Sequence, residues 1–218
     1  MSITPESIQS LLDSEDFGER IRGLNQLRQI EPATALPLVK PMITDKNTRV
    51  RYAAVSQLDT IGQADKTACL EILRDRLFND PEPDVQAAAA DAIAGLKLVE
   101  AYEDLADTYH KTSEWLVQFS IIAALGELGD PRGFDLLEEA LKSDNNLLQT
   151  AAIGSMGELG DARAVSLLAT FADHEDWQIR YRLAQALGKL GGEEAKAVIT
   201  KLASDESEQV AQEAKNNL

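Results

Sequence analysis

The sequence predicts an all-α fold: a right-handed α-solenoid of seven short helix pairs with a period of about 31 residues. The first observation behind this is repetition. With Val50-Arg51-Tyr52-Ala53-Ala54-Val55-Ser56-Gln57-Leu58 as a template, related segments start at positions 19, 50, 85, 117, 148, 179 and 210, spaced 31, 35, 32, 31, 31 and 31 residues apart. The second is periodicity inside each copy: Val50, Ala54, Leu58 and Ile61 share one helical face. The third is punctuation. Gly129-Asp130-Pro131 and Gly160-Asp161-Ala162 place a left-handed stop, a cap and a first helical turn in the order that a helix-to-helix junction needs.

Each copy reads as helix A followed by helix B, and B carries the template. A helices are expected near residues 36–43, 67–78, 133–141 and 164–171. Asp80-Pro81 and Asp144 or Asp173 mark the turns from A to B. The strongest B helices open at Val117, Leu148 and Ile179 and close on Gly126-Glu127-Leu128-Gly129, Gly157-Glu158-Leu159-Gly160 and Gly188-Lys189-Leu190-Gly191. These glycines are read as helix stops. Copies at Glu19, Val85 and Val210 are weaker. A single pair cannot bury its apolar faces, so neighbours must stack and the end copies should be atypical. The first has charged Glu19 at the template start, and the last carries Ala211, Gln212 and Glu213. With no linker and no low-complexity segment, residues 1–218 read as one domain.

Composition narrows the functions. Aromatics make up only 5% of the 218 residues, so Ala and Leu must carry the core. The formal net charge of −16 repels phosphate backbones, and no nucleic-acid partner is expected. No run of about 20 apolar residues exists, which argues against an integral membrane segment. The opening Met1-Ser2-Ile3-Thr4-Pro5-Glu6 lacks the basic and apolar regions of a signal peptide. The single cysteine, Cys69, cannot form an internal disulfide, which fits a reducing cytosol.

Comparing copies also points to a surface. The positions two before and two after each template start lie on one face, offset from the core. They hold Phe17 and Ile21, Thr48 and Tyr52, Pro83 and Ala87, Trp115 and Phe119, Asn146 and Thr150, Trp177 and Tyr181, and Glu208 and Gln212. Both tryptophans occupy the same position of the repeat, each with an aromatic partner one turn on. A position that varies from Trp to Asn or Glu reads as exposed, and large exposed aromatics serve as binding anchors. At ordinary helix spacing Trp115 and Trp177 would stand roughly 20 Å apart along the solenoid. The alternative is that these rings fill space between copies.

Arginine recurs at the second template position as Arg20, Arg51 and Arg180, with Gln86, Gln118 and Gln149 in other copies. One reading is a hydrogen-bond ladder to turn carboxylates such as Asp45 or Asp176. The other is a basic strip in which Arg49, Arg51, Arg180 and Arg182 receive acidic groups of a partner. Together with Tyr52, Trp115, Phe119, Trp177 and Tyr181, these are the candidate site residues. Cys69 sits in an A helix and reads as a buried, inert thiol. His110 and His174 have no metal-ligand spacing, and no metal is expected. Glu127, Asp130, Glu158 and Asp161 follow the repeat and read as caps and solvated faces. No catalytic constellation is visible, which leaves enzymatic activity open.

The template Val-Arg-x-x-Ala-x-x-x-Leu followed by Gly-x-Leu-Gly-Asp resembles the short HEAT repeat of the phycobilin-lyase (E/F-type) family of cyanobacteria, over all seven copies. Residues 48–58, 113–120 and 176–182 are similar to the branch of that family implicated in phycobilisome breakdown. The resemblance implies a phycobiliprotein-binding factor that promotes phycobilisome disassembly by engaging or detaching the bilin chromophore. It also admits a phycobilin lyase subunit, or a non-catalytic HEAT-repeat scaffold. Under it the partners are phycobiliprotein subunits of phycocyanin or allophycocyanin, or another protein. Phycocyanobilin is a ligand rather than a tightly bound cofactor, with arginines meeting its propionates. The implied location is the cytoplasm, with phycobilisomes at the cytoplasmic face of the thylakoid.

Overall fold

Turns, several of them closed by a capping side chain, divide the chain into helices, and the computed structural model describes residues 3–218. Met1 and Ser2, part of the opening segment quoted above, lie outside the described residues. The pairs are α1 (Pro5–Leu12) with α2 (Phe17–Leu27), and α3 (Pro32–Val39) with α4 (Thr48–Ser56) and its continuation α5 (Leu58–Ile61). Next come α6 (Lys66–Asn79) with α7 (Pro83–Gly95) and α8 (Tyr102–Lys111) with α9 (Trp115–Leu128). The last three are α10 (Gly133–Ala140) with α11 (Asn146–Leu159), α12 (Ala164–Ala169) with α13 (Trp177–Leu190), and α14 (Gly192–Leu202) with α15 (Glu208–Asn216). These are the seven pairs that the repeat requires, and the described residues contain no strand.

The chain packs as two compact units, one ending at Ile121 and the other covering Ile122–Leu218, with the boundary inside α9. In the first unit, B helices α2, α4 and α7 stack in order, and A helices pack as α1 on α3 and α6 on α8. The template positions Val50, Ala54, Leu58 and Ile61 are all buried there, with Leu24, Leu73, Ile93 and Leu105. In the second unit α11, α13 and α15 form the B layer, and α12 packs on α14. Ile153, Met156, Leu168, Leu183, Leu187 and Ile199 close its core. Within each unit, helices pack on their own pair and on the neighbouring copy, as repeat stacking demands.

The one long interval, 35 residues between positions 50 and 85, falls where α5 runs into a 3-10 turn at 62–64 and α6 extends to 14 residues. Upstream, Pro37 lies inside α3, and Pro41 opens the 3-10 segment at 40–44 that follows, because a proline there offers no N–H to continue the α ladder.

The reading of the glycines as stops needs correction. Gly129, Gly160 and Gly191 do end helices, with φ of 75°, 73° and 67°. Gly126, Gly157 and Gly188 lie inside α9, α11 and α13 instead. A Cβ on Gly126 would stand 2.6 Å from the Ser155 Cα, and one on Gly157 would stand 2.7 Å from the Ala186 Cα. On Gly188 it would meet the Asn217 side chain. These residues omit the β carbon so that successive B helices can approach closely.

Candidate functional site

The turn from A to B uses one device in every copy. Ser14, Asp45, Asp80, Thr112, Ser143, His174 and Asp205 each stand five residues before a template start. Each side chain accepts the backbone N–H two residues on, at 2.8–3.2 Å. This is an Asx- or ST-type turn, extended to histidine in the sixth copy. It delivers the chain to the cap of the next helix, as with Asn47 for α4 and Asp176 for α13.

The recurring arginines read this turn. Arg51 donates from Nε and NH2 to Asp80 at 2.9 and 3.0 Å, and from NH1 to the Asp45 carbonyl at 3.0 Å. Arg20 reaches Asp45, and Arg180 reaches Asp205 at 2.7 and 2.9 Å. So each arginine holds the carbonyl of its own turn and the carboxylate of the next copy's turn. Of the two readings, the ladder describes Arg51 and Arg180. They are 8% and 5% exposed, with their donors engaged, and do not present a basic strip to a partner. The carboxylate named for the sixth copy also changes: Asp176 caps α13 by accepting from Gln178 N–H, and Asp205 is the partner of Arg180.

A rule missed in the sequence follows from this geometry. Where the next copy's turn residue is Asp (45, 80, 205), the preceding copy has Arg (20, 51, 180); where it is Thr112, Ser143 or His174, the preceding copy has Gln86, Gln118 or Gln149. Two alignment columns, the second template position and the turn position of the following copy, carried that signal. Charge explains it: a buried guanidinium needs a carboxylate, and a neutral amide suffices for a neutral turn.

Hydrogen bonds from Arg180 hold the Asp205 carboxyl below its ordinary value. A lowered folded-state value means that this carboxylate's stabilisation is complete above the unfolded value of about 3.9 and disappears as pH falls through the lowered one. Asp205→Asn should therefore be less stable than the wild type at pH 7. The gap should narrow as pH falls from the unfolded value of about 3.9 through the lowered folded one, as measured by urea unfolding along an acid pH series.

The aromatic positions face outward. In the first unit Trp115 is 51% exposed and Tyr52 48%, while Phe119 is half-buried one turn after Trp115. Arg49, beside Thr48, is also exposed. In the second unit Trp177 is 43% exposed, and half-buried Tyr181 lies one turn on. The Glu213 carboxylate accepts from the Tyr181 phenol and pushes its pKa up. Arg182 is exposed, donates to Gln185 at 3.1 Å, and lies over Gly154, where a Cβ would be 3.3 Å from its Cδ. Each unit therefore exposes rings and a guanidinium: Arg49, Tyr52 and Trp115, with half-buried Phe119, in the first, and Trp177 and Arg182, with half-buried Tyr181, in the second. Exposed rings beside a guanidinium can stack a planar or apolar group while the cation meets an acidic one.

The remaining candidates have structural surroundings. Burial pushes the Cys69 thiol up, against its thiolate form. His174 is committed to its turn, and its ring stacks on Phe171. Among the described residues no group of three or more His, Cys, Asp or Glu is placed to hold a metal ion. Asp130 and Asp161 each accept the backbone N–H and the guanidinium of the arginine two residues on, and Arg163 also lies 3.9 Å over the Phe134 ring. Among the described residues no helix is long and apolar enough to cross a membrane.

Comparison with known proteins agrees with this architecture. The family model for HEAT repeats matches residues 4–76, 70–153 and 142–218. No curated protein sequence matches. Among solved structures, the chain is similar to the complex of CpcE and CpcF of phycocyanin lyase from Nostoc sp. PCC7120, with a TM-score of 0.64, 19% identity, and coverage of 100% of this chain and 96% of that one. It is also similar to an engineered protein, with a TM-score of 0.56, 20% identity, and coverage of 98% and 67%. At such identities the likeness is one of fold, and a fold shared by a lyase and an engineered protein does not choose between functions.

Proposed function

The chain belongs to the HEAT-repeat family, and on that premise we propose that it is a phycobiliprotein-binding factor of the NblB type, promoting phycobilisome disassembly by engaging or detaching the bilin chromophore. The observation that carries the reading is the pair of outward-facing tryptophans in one column of the repeat, each followed one turn on by a second aromatic. They lie in two of the segments, 113–120 and 176–182, whose sequence resembles that branch. Each indole leaves about half of its apolar surface in water, which a partner surface accounts for better than packing does. Arg49, on the same helix as Tyr52, and Arg182, beside Tyr181 in sequence, supply exposed cations for acidic phycobiliprotein residues or bilin propionates. The CpcE–CpcF complex of phycocyanin lyase has this fold, which is compatible with the reading without choosing it.

The test is binding of phycocyanin α subunit and of free phycocyanobilin, read by bilin fluorescence. A Trp115→Ala, Trp177→Ala double variant is expected to lose about 30-fold or more in affinity. Its melting temperature should stay within a few degrees of the wild type, since both side chains are exposed. Unchanged binding by a folded double variant would remove the aromatic patches from the mechanism. Transfer of bilin onto an apo-subunit by this chain alone would replace disassembly with lyase activity.

A further inference from the structure

Seven turns use a side chain to accept the same backbone N–H, and the sixth uses an imidazole. His174 Nδ1 accepts from Asp176 N–H at 3.0 Å, so this nitrogen must carry no proton. Once the ring is protonated both nitrogens are donors, and no flip of the ring restores an acceptor. The serines and threonine at the equivalent turns do not titrate, and aspartates do so well below neutrality. Histidine alone changes charge between pH 5 and 8.

The preceding copy holds a second observation. Gln149 occupies the position from which Arg20, Arg51 and Arg180 reach the next turn's carboxylate, and His174 occupies the carboxylate's position. Gln149 Nε2 donates to the Leu141 carbonyl at 3.2 Å. Its Oε1 is buried and has no hydrogen-bond partner among the described residues. A buried acceptor without a donor is costly. By repeat equivalence it lies on the side from which the His174 turn is read.

We propose that His174 is a pH-sensitive clasp at the start of α13. In its neutral form it accepts from Asp176 and holds the turn closed. Protonation puts a proton on Nδ1, where it opposes the Asp176 N–H and releases it. Asp176 is the cap of α13 and Trp177 its first residue, so the released turn loosens the presentation of Trp177.

Charged groups surround the ring from every side of the open groove it lines. Asp173, Glu175 and Asp176 belong to its own turn, Arg180 to α13, Lys201 to α14, and Asp205 and Glu206 to the following turn. Lys201 pairs with Asp173, and Arg180 with Asp205 and Glu206. The clasp is independent of which partner the tryptophan patch binds.

The test uses full-length protein carrying Trp115→Phe, so that emission reports Trp177 alone. Trp177 emission is expected to titrate between pH 8 and 5. Asp176 amide exchange, corrected for its intrinsic pH dependence, is expected to accelerate about tenfold across that range. His174→Ser, the residue found at positions 14 and 143, keeps the acceptor and should abolish both changes. His110 remains in both proteins, so whatever it contributes cancels in the comparison. Equal pH dependence in the serine variant would overturn the clasp. So would imidazole 15N shifts of the histidine protein that show an Nδ1–H tautomer at pH 8, a measurement that needs no variant.

Discussion

Asp80→Ala is expected to cost about 3–5 kcal/mol of folding stability, seen as a fall in Tm of roughly 10 °C in a thermal melt. The Asp80 side chain has no exposed surface. It accepts from Arg51 at 2.9 and 3.0 Å, from Arg76 NH1 at 3.1 Å and from Glu82 N–H at 3.1 Å. Removing it leaves one buried guanidinium without its carboxylate, a second with one partner fewer, and a turn without its acceptor. Breaking one side of a buried pair costs more than the pair contributes, because the remaining charge stays desolvated. Arg51→Met with Asp80→Leu should therefore recover part of the loss. If Asp80→Ala melts within about a degree of the wild type, the clamp does not join copies two and three energetically.

Gly157→Leu should be nearly as damaging, by about 1–3 kcal/mol in urea unfolding. The obstacle is backbone: the new Cβ would stand 2.7 Å from the Ala186 Cα and 2.9 Å from its Cβ, so α13 must move off α11. Gly154→Ala, one turn earlier in the same helix, is the control. There the nearest atom is the Arg182 Cδ at 3.3 Å, the movable arm of an exposed side chain. That substitution should be neutral or gain up to about 1 kcal/mol from the helix preference for alanine. Similar losses from both substitutions would mean that the close approach of α11 and α13 is not what Gly157 serves.

Much of the fold could be read along the chain, for a physical reason. Val50, Ala54, Leu58 and Ile61 declare a helix face because the spacing of 3.6 residues per turn is a local property. Gly160-Asp161 declares a junction because a left-handed stop and a cap act within a few residues. Copying such units at a period of 31 forces stacking, since no single pair can bury its apolar stripe. The outward position of Trp115 and Trp177 was legible for the same reason: their column changes polarity between copies.

What one copy touches in the next is a different matter. Arg180 meets Asp205 rather than Asp176, and Gly157 is a contact while Gly160 is a stop. The two glycines share one short segment, and both carboxylates are turn residues. Their roles separate only when helices stack with a definite offset, which brings together residues 25 to 31 positions apart. No capping rule or amphipathic pattern contains that offset, because it comes from side-chain packing between neighbours. The sequence by itself determined the repeat, its helices and the outward column that holds both tryptophans. Only the tertiary structure decided which arginines are clamps, which glycines let helices touch, and that His174 holds the turn beneath Trp177.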